Sequence, residues 1–206
     1  MFNFKPILRF VLWFSLSYLG LLLIALPLKE QYATHYRWLG KTCFEQFGKK
    51  GIVQFFPHQE KELKYKMDTK VVLFNLDQVV AARRSGQATV RGGEFFTSSW
   101  YSALLPSILL LSLILASPVS WKRKLLATLA GTALIYLFTL FKLRLSIAYE
   151  YHQNPWLEFS PGNPNWIQPA YRIFVTNIET TIIIPVFVWV LVTFRKSDLP
   201  VYRPKE

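Results

Sequence analysis

From Ile7 to Leu28 the chain holds 22 consecutive residues of which only Arg9 is charged. Coiled as an α-helix at about 1.5 Å per residue, such a run covers roughly 30 Å, the thickness of a bilayer's hydrocarbon core. A segment apolar on every side has no face to offer water, so it predicts a membrane span and narrows the class of everything that follows. The composition agrees: among 206 residues 52% are hydrophobic and 17% charged, and mean hydropathy is +0.24. Lys5 and Arg9 resemble the basic start of a secretory leader. However, the apolar stretch exceeds the usual length of about 7 to 15 residues, and Leu26-Pro27-Leu28 offers no small-x-small cleavage site. Residues 1–28 therefore read as a retained anchor.

Three further apolar runs follow. Trp100 to Ser117 begins with Trp100 and Tyr101, where an interfacial aromatic belt would sit, and ends at a short turn carrying Lys122, Arg123 and Lys124. Leu125 to Phe141 makes the return leg of a helical hairpin. Its far end is open, because Lys142 and Arg144 interrupt a pattern that otherwise continues to Tyr149. The helix either stops there or runs on with those side chains snorkelling outward. Ile173 to Phe194 is the fourth run and contains Pro185.

The basic residues beside these runs fall into three clusters: Lys5 and Arg9, the hairpin triplet, and Arg195, Lys196, Arg203 and Lys205. In a four-span arrangement all three share one side, which the positive-inside rule makes cytoplasmic. The sequence thus predicts an integral membrane α-helical protein with four transmembrane helices and a small α+β extracytoplasmic module between helices 1 and 2. Its parts are the anchor 1–28, the module 29–94, a membrane region 95–196 with an outer loop at 145–170, and a cytoplasmic tail 197–206. Both termini are expected inside.

Within the module, Tyr32, Tyr36, Leu39, Cys43 and Phe47 recur at helical spacing, predicting an amphipathic helix that stops near Gly48 with Cys43 on its apolar face. Leu63 to Met67 alternates like a half-buried strand. Val71 to Phe74 reads as a second strand and Gly51 to Phe56 as its partner. Asp77 can cap a short helix through Arg84 that ends at Ser85-Gly86, Gln87 to Val90 could add a strand, and Gly92-Gly93 reads as a turn. Twelve Lys and Arg against seven acids make the region basic, as solvated strand faces or as a surface for anionic groups. No basic stripe interleaved with stacking aromatics occurs, so nucleic acid is not an expected partner.

Chemistry has few candidates. Cys43, the only cysteine, excludes an internal disulfide and is the candidate nucleophile of a membrane cysteine protease or transpeptidase; its bland alternative is a small apolar residue in a helical stripe. His35 lies two turns before it, about 12 Å away by helical rise, too far to take its proton. No nucleophile elbow, HExxH or phosphate-cradling glycine loop is found, and no cofactor or metal is expected. Glu179 is the most informative polar residue, since a carboxylate inside the fourth run, beside Asn177, must be neutralised. Lys142 and Arg144 near the outer end of span three are the expected partners. Together Glu179, Asn177, Lys142 and Arg144 predict an intramembrane polar clasp or a docking point for a partner, or, if Glu179 titrates, a small transporter subunit.

Phe95-Phe96 leads into a span carrying Leu104-Leu105-Pro106 and ending Leu115-Ala116-Ser117-Pro118, followed by the basic hairpin and two more spans. In this layout the chain resembles the small membrane proteins encoded beside bacterial exosortases, of the exosortase H-associated type. The resemblance spans the whole chain in layout and residues 95–118 in local sequence. It implies a noncatalytic bacterial inner-membrane companion of a membrane cysteine transpeptidase that processes surface proteins with C-terminal sorting tails. Exosortases themselves join a catalytic Cys to a membrane-proximal Arg and His. Here Cys43 is followed by Phe44-Glu45 in place of the enzyme's Cys-Ser-Gly, and Arg144 and His152 are spaced differently. The expectation is therefore a protein that binds an exosortase-like membrane partner, in contact with the lipid bilayer, and makes or breaks no bonds itself.

Overall fold

The first apolar run folds as α1 (Lys5–Ala25), and in the computed structural model nearly all its large side chains point outward: Leu8 is 69% and Leu23 67% exposed. The structure describes residues 5–58, 67–86, 89–159, 164–177 and 179–194. A helix that turns Leu, Ile and Val out all round has lipid as its natural solvent. Among the described residues two helices are long and apolar enough to cross a membrane, α1 and the 33-residue α5 (Trp121–Gln153).

The second run is helical over nearly its expected extent. A π-helical turn, Trp100–Leu104, feeds α4 (Leu105–Ala116), and together they give an apolar helix below spanning length. The expected continuous fourth span, Ile173 to Phe194, is broken. After α6 (Pro164–Tyr171), a π-helical turn at Arg172–Thr176 gives way to an extended Asn177, and the axis bends 85° before α7 (Thr180–Thr193) begins. The cause is local: the Thr180 hydroxyl donates to the Asn177 carbonyl at 2.7 Å and lies 3.2 Å from that of Phe174, which offers the backbone an alternative to helical pairing. Counting the bent pair as one span brings the total to three.

These helices form a bundle in which α1 lies along α4, α4 along α5 and α7, and α5 along α7. Its core is Leu110, Ile114, Ala127, Ile135 and Val188. Gly131 allows α5 to approach α4, since a Cβ there would stand 2.9 Å from Leu110 Cδ2. Trp189 Nε1 donates to Ser117 Oγ at 2.8 Å, and the Trp189 and Phe10 rings are 5.9 Å apart. These contacts gather the start of α1, the α4–α5 turn and the later half of α7 at one end of the bundle.

The other end carries an antiparallel sheet of order β1 (Gln46–Phe47), β2 (Gly51–Pro57), β3 (Thr69–Asn75) and β4 (Gly93–Thr97). Its Val53, Val71 and Leu73 face inward against Leu143, Ile147 and Tyr151, so α5 runs on past Lys142 and its last turns are the sheet's support. The helix thus continues through residues 145–153 of the segment expected as a loop and ends at Gln153. Gly93, expected in a turn, opens β4, and a Cβ there would meet Asn154 Nδ2 at 3.1 Å. Of the strand expected over Gln87 to Val90, residues 87–88 lie outside the described residues and Thr89 and Val90 are not in a strand; β4 carries the module past residue 94 to Thr97. Residues 59–66, with most of the expected Leu63 to Met67 strand, and the tail 197–206 lie outside the described residues; Met67 is not in a strand.

Two helices complete the module. α2 (Lys29–Phe44) buries Ala33, Tyr36 and Gly40, a stripe rotated from the expected one so that Cys43 is exposed; Gly40 faces the Phe55 ring, 2.7 Å from where its Cβ would be. α3 (Leu76–Ser85) is capped by Asn75, whose Oδ1 accepts the Asp77 amide at 2.9 Å, and ends at left-handed Gly86.

Candidate functional site

Where α2 ends, the β1–β2 turn, the outer part of α5 and the segment at Glu158 enclose a crevice of about 640 Å³. Its floor is aromatic. Phe47 stacks on Tyr151 at 5.9 Å with ring planes 6° apart, and Phe159 meets the same tyrosine edge-on at 5.0 Å. Gly48 makes this possible, with φ +65° and a position for Cβ only 2.8 Å from Phe159 Cζ, where no side chain fits.

The rim is cationic: Lys49, Lys50 and Arg144 border the crevice with Glu158 and Cys43. Lys50 is committed to Asp77 at 2.6 Å, and that hydrogen bond holds its ammonium above the usual lysine range. Among the described residues Lys49 and Arg144 have no ion-pair partner. Glu158 sits at φ 48°, the one non-glycine residue with positive φ among those described, a conformation costing about 1 kcal/mol or more. The crevice can thus hold a partner's acidic or anionic group over an aromatic floor.

The residues singled out by sequence are dispersed. Arg144 is exposed at the crevice and shares it with Cys43, a pairing that the 100 intervening residues concealed. Lys142 is buried, its Nζ 6.0 Å from the Phe138 ring centre. Glu179 and Asn177 are exposed at the break before α7. The expected ion pair between Glu179 and Lys142 or Arg144 does not form: Glu179 stands at the break before α7, and Lys142 is buried on α5 beside Phe138. His35 packs against Tyr136 of α5 at 6.1 Å and His58 against Phe96 at 4.5 Å; the crevice lining contains no imidazole. Among the described residues no three His, Cys, Asp or Glu side chains cluster as a metal site would require.

Asp68 escaped the sequence reading. Its buried carboxylate accepts the Ser99 amide, the Ser99 hydroxyl at 2.7 Å and the Thr69 hydroxyl at 2.9 Å, while its carbonyl accepts from Arg37 Nη1 at 3.2 Å. This ties α2 and β3 to the start of the second apolar helix and so fixes the module over the bundle. A signal existed in the Ser98-Ser99 pair before an apolar run, which needs an acceptor for its first amides. Comparison with protein-family models, curated proteins and solved structures found no match in any of the three.

Proposed function

We propose that the chain is a noncatalytic, four-span inner-membrane accessory protein of a bacterial envelope sorting or assembly system, which binds a membrane partner through its extracytoplasmic module. The observation that carries this reading is the crevice: over an aromatic floor stand Lys49 of the β1–β2 turn and Arg144 of α5, neither with an ion-pair partner among the described residues. That arrangement suits recognition of an acidic segment close to the bilayer. On the resemblance stated above, the partner is an exosortase-like transpeptidase.

Four crossings require the two shorter helices to span as well. Trp100–Ala116 covers about 25 Å by helical rise and α7 about 21 Å, shortfalls that local bilayer thinning accommodates at modest cost. The side-by-side packing of α1, α4, α5 and α7 supports this, and the gathering of Lys5, Arg9 and Lys124 at the end opposite the sheet supports a cytoplasmic location for that end.

A second reading has an observation in its favour. Cys43 and Arg144 share the crevice, as nucleophile and oxyanion-stabilising cation would in a membrane cysteine transpeptidase. One experiment separates the two. A photo-crosslinker attached to Cys43, the sole thiol, should join the protein in intact membranes to a multi-pass transpeptidase, and Lys49→Glu with Arg144→Glu should abolish the adduct. Cys43→Ser should leave sorting intact; if it abolishes sorting while the protein still accumulates and binds its partner, the enzyme reading replaces ours.

A further inference from the structure

At the end of the bundle opposite the sheet, a second groove of about 750 Å³ runs between α1 and the α4–α5 turn. Lys5, Arg9, Trp13 and Ser17 line it at steps of four, one face of α1, so it extends about 18 Å along the helix. Across from them stand Leu115, Pro118 and Lys124. Its mouth is at the start of α1, where Lys5 and Arg9 stand; Trp13 and Ser17 follow along the helix, and among the described residues no acid lines the groove. Lys124 is held in place: its Nζ donates to the Leu115 carbonyl and lies 5.3 Å from the centre of the Trp121 ring. That carbonyl leaves the ammonium its full charge and two further protons to donate.

We propose that this groove binds one anionic glycerophospholipid of the cytoplasmic leaflet, its phosphate between Arg9 and Lys124 and an acyl chain laid along Trp13 toward Ser17. The charge at the mouth calls for an anion, and the apolar length below it calls for a chain that a free phosphate lacks. Exposed Trp121, beside the Lys124 ammonium, belongs at the headgroup level, as interfacial indoles do. Each basic side chain near an anionic headgroup adds about 1 kcal/mol, enough for a clear headgroup preference.

The inference rests on the membrane part of the proposed function and not on the identity of a partner. The test uses the full chain, purified in mild detergent, titrated with phosphatidylglycerol or phosphatidylcholine and read by native mass spectrometry of lipid adducts. Phosphatidylglycerol should be retained about tenfold better, and the double variant Arg9→Gln, Lys124→Gln should bring the two lipids to parity. Trp13→Ala should weaken retention of both, and Arg84→Gln, on exposed α3, should change nothing. Raising salt on the unaltered protein should weaken phosphatidylglycerol alone, a result independent of whether any variant folds. Equal retention of the two lipids, or an unchanged double variant, overturns the proposal. Displacement of the lipid by millimolar inorganic phosphate overturns it in favour of a soluble-anion site. Photo-crosslinking at Cys43 should be indifferent to the double variant, so failure of the lipid site and failure of the partner reading are distinguishable.

Discussion

Both carboxylate oxygens of Asp68 stand 3.1 Å from the backbone amide of Ser99, so a buried acid at the edge of the sheet caps the helix that enters the bundle. The same carboxylate accepts two hydroxyls, and among the described residues no cation pairs with it. Asp68→Ala removes all of them at once and leaves the Ser99 amide unsatisfied, at a cost of about 2 to 4 kcal/mol. Asp68→Asn keeps part of the acceptor set and should lie between. Thermal unfolding in detergent checks the order, and early tryptic cleavage between the module and α4 should accompany the loss.

Tyr151 is the corresponding bolt on the other side of the sheet. Its hydroxyl, on the last turns of α5, lies 3.2 Å from the Ile52 carbonyl and 3.0 Å from that of Phe74, bridging β2 and β3. Tyr151→Phe keeps the stack on Phe47 and should cost about 1 kcal/mol, whereas Tyr151→Ala opens the module core and should cost about 3 to 5 kcal/mol. Hydrogen exchange should show the difference in β2 and β3 while leaving the bundle's amides protected.

Alkaline pH should loosen the junction before it affects the bundle. Burial pushes the Tyr36 hydroxyl up to about 12, and Tyr32 beside it is raised further by its own burial. An unfolded tyrosine ionises near pH 10 while the folded one stays neutral, so the unfolded state binds fewer protons and stability falls as pH rises from about 10 to 12. For Tyr36 alone the loss is roughly 2 to 3 kcal/mol. Tyr32→Phe with Tyr36→Phe should lower stability by about 1 kcal/mol per lost hydroxyl bond at neutral pH and flatten the profile above pH 10. A profile that keeps its full slope in the double variant would place the alkaline transition elsewhere.

Much of this architecture was legible because local chemistry and tertiary environment agreed. α1 is apolar on every side, β3 is built on a β-branched run, and Ser85-Gly86 stops α3 as its conformation requires. The misses share a cause, an environment supplied from far away in sequence. Lys142 and Arg144 broke the periodicity of the third span, yet Leu143, Ile147 and Tyr151 continue the buried stripe at steps of four because a sheet, not lipid, covers them. Cys43 was placed inward by a spacing argument one residue out of phase, and its proximity to Arg144 depends on how α2 docks. The reading of Glu179 inside a span rests on a continuous helix, and the structure interrupts that helix between Thr176 and Thr180, where the Thr180 hydroxyl bonds the Asn177 carbonyl in a way no hydropathy window contains.

Glu158 tests whether the crevice stores strain for a purpose. With φ at 48° its side chain is carried to the rim beside two unpartnered cations, in a conformation that glycine adopts freely. Glu158→Gly relieves the backbone and should raise stability by about 0.5 to 1 kcal/mol; Glu158→Ala keeps a Cβ and should gain nothing. Both remove a negative charge from the neighbourhood of Lys49 and Arg144, which should strengthen capture of an acidic partner and steepen its dependence on salt. Glu158→Gln isolates that electrostatic part, since it changes charge without relieving the backbone. Should Glu158→Gln weaken partner cross-linking at Cys43 instead, the carboxylate itself makes a contact with the partner, and the crevice recognises a group of mixed charge and not a purely acidic one.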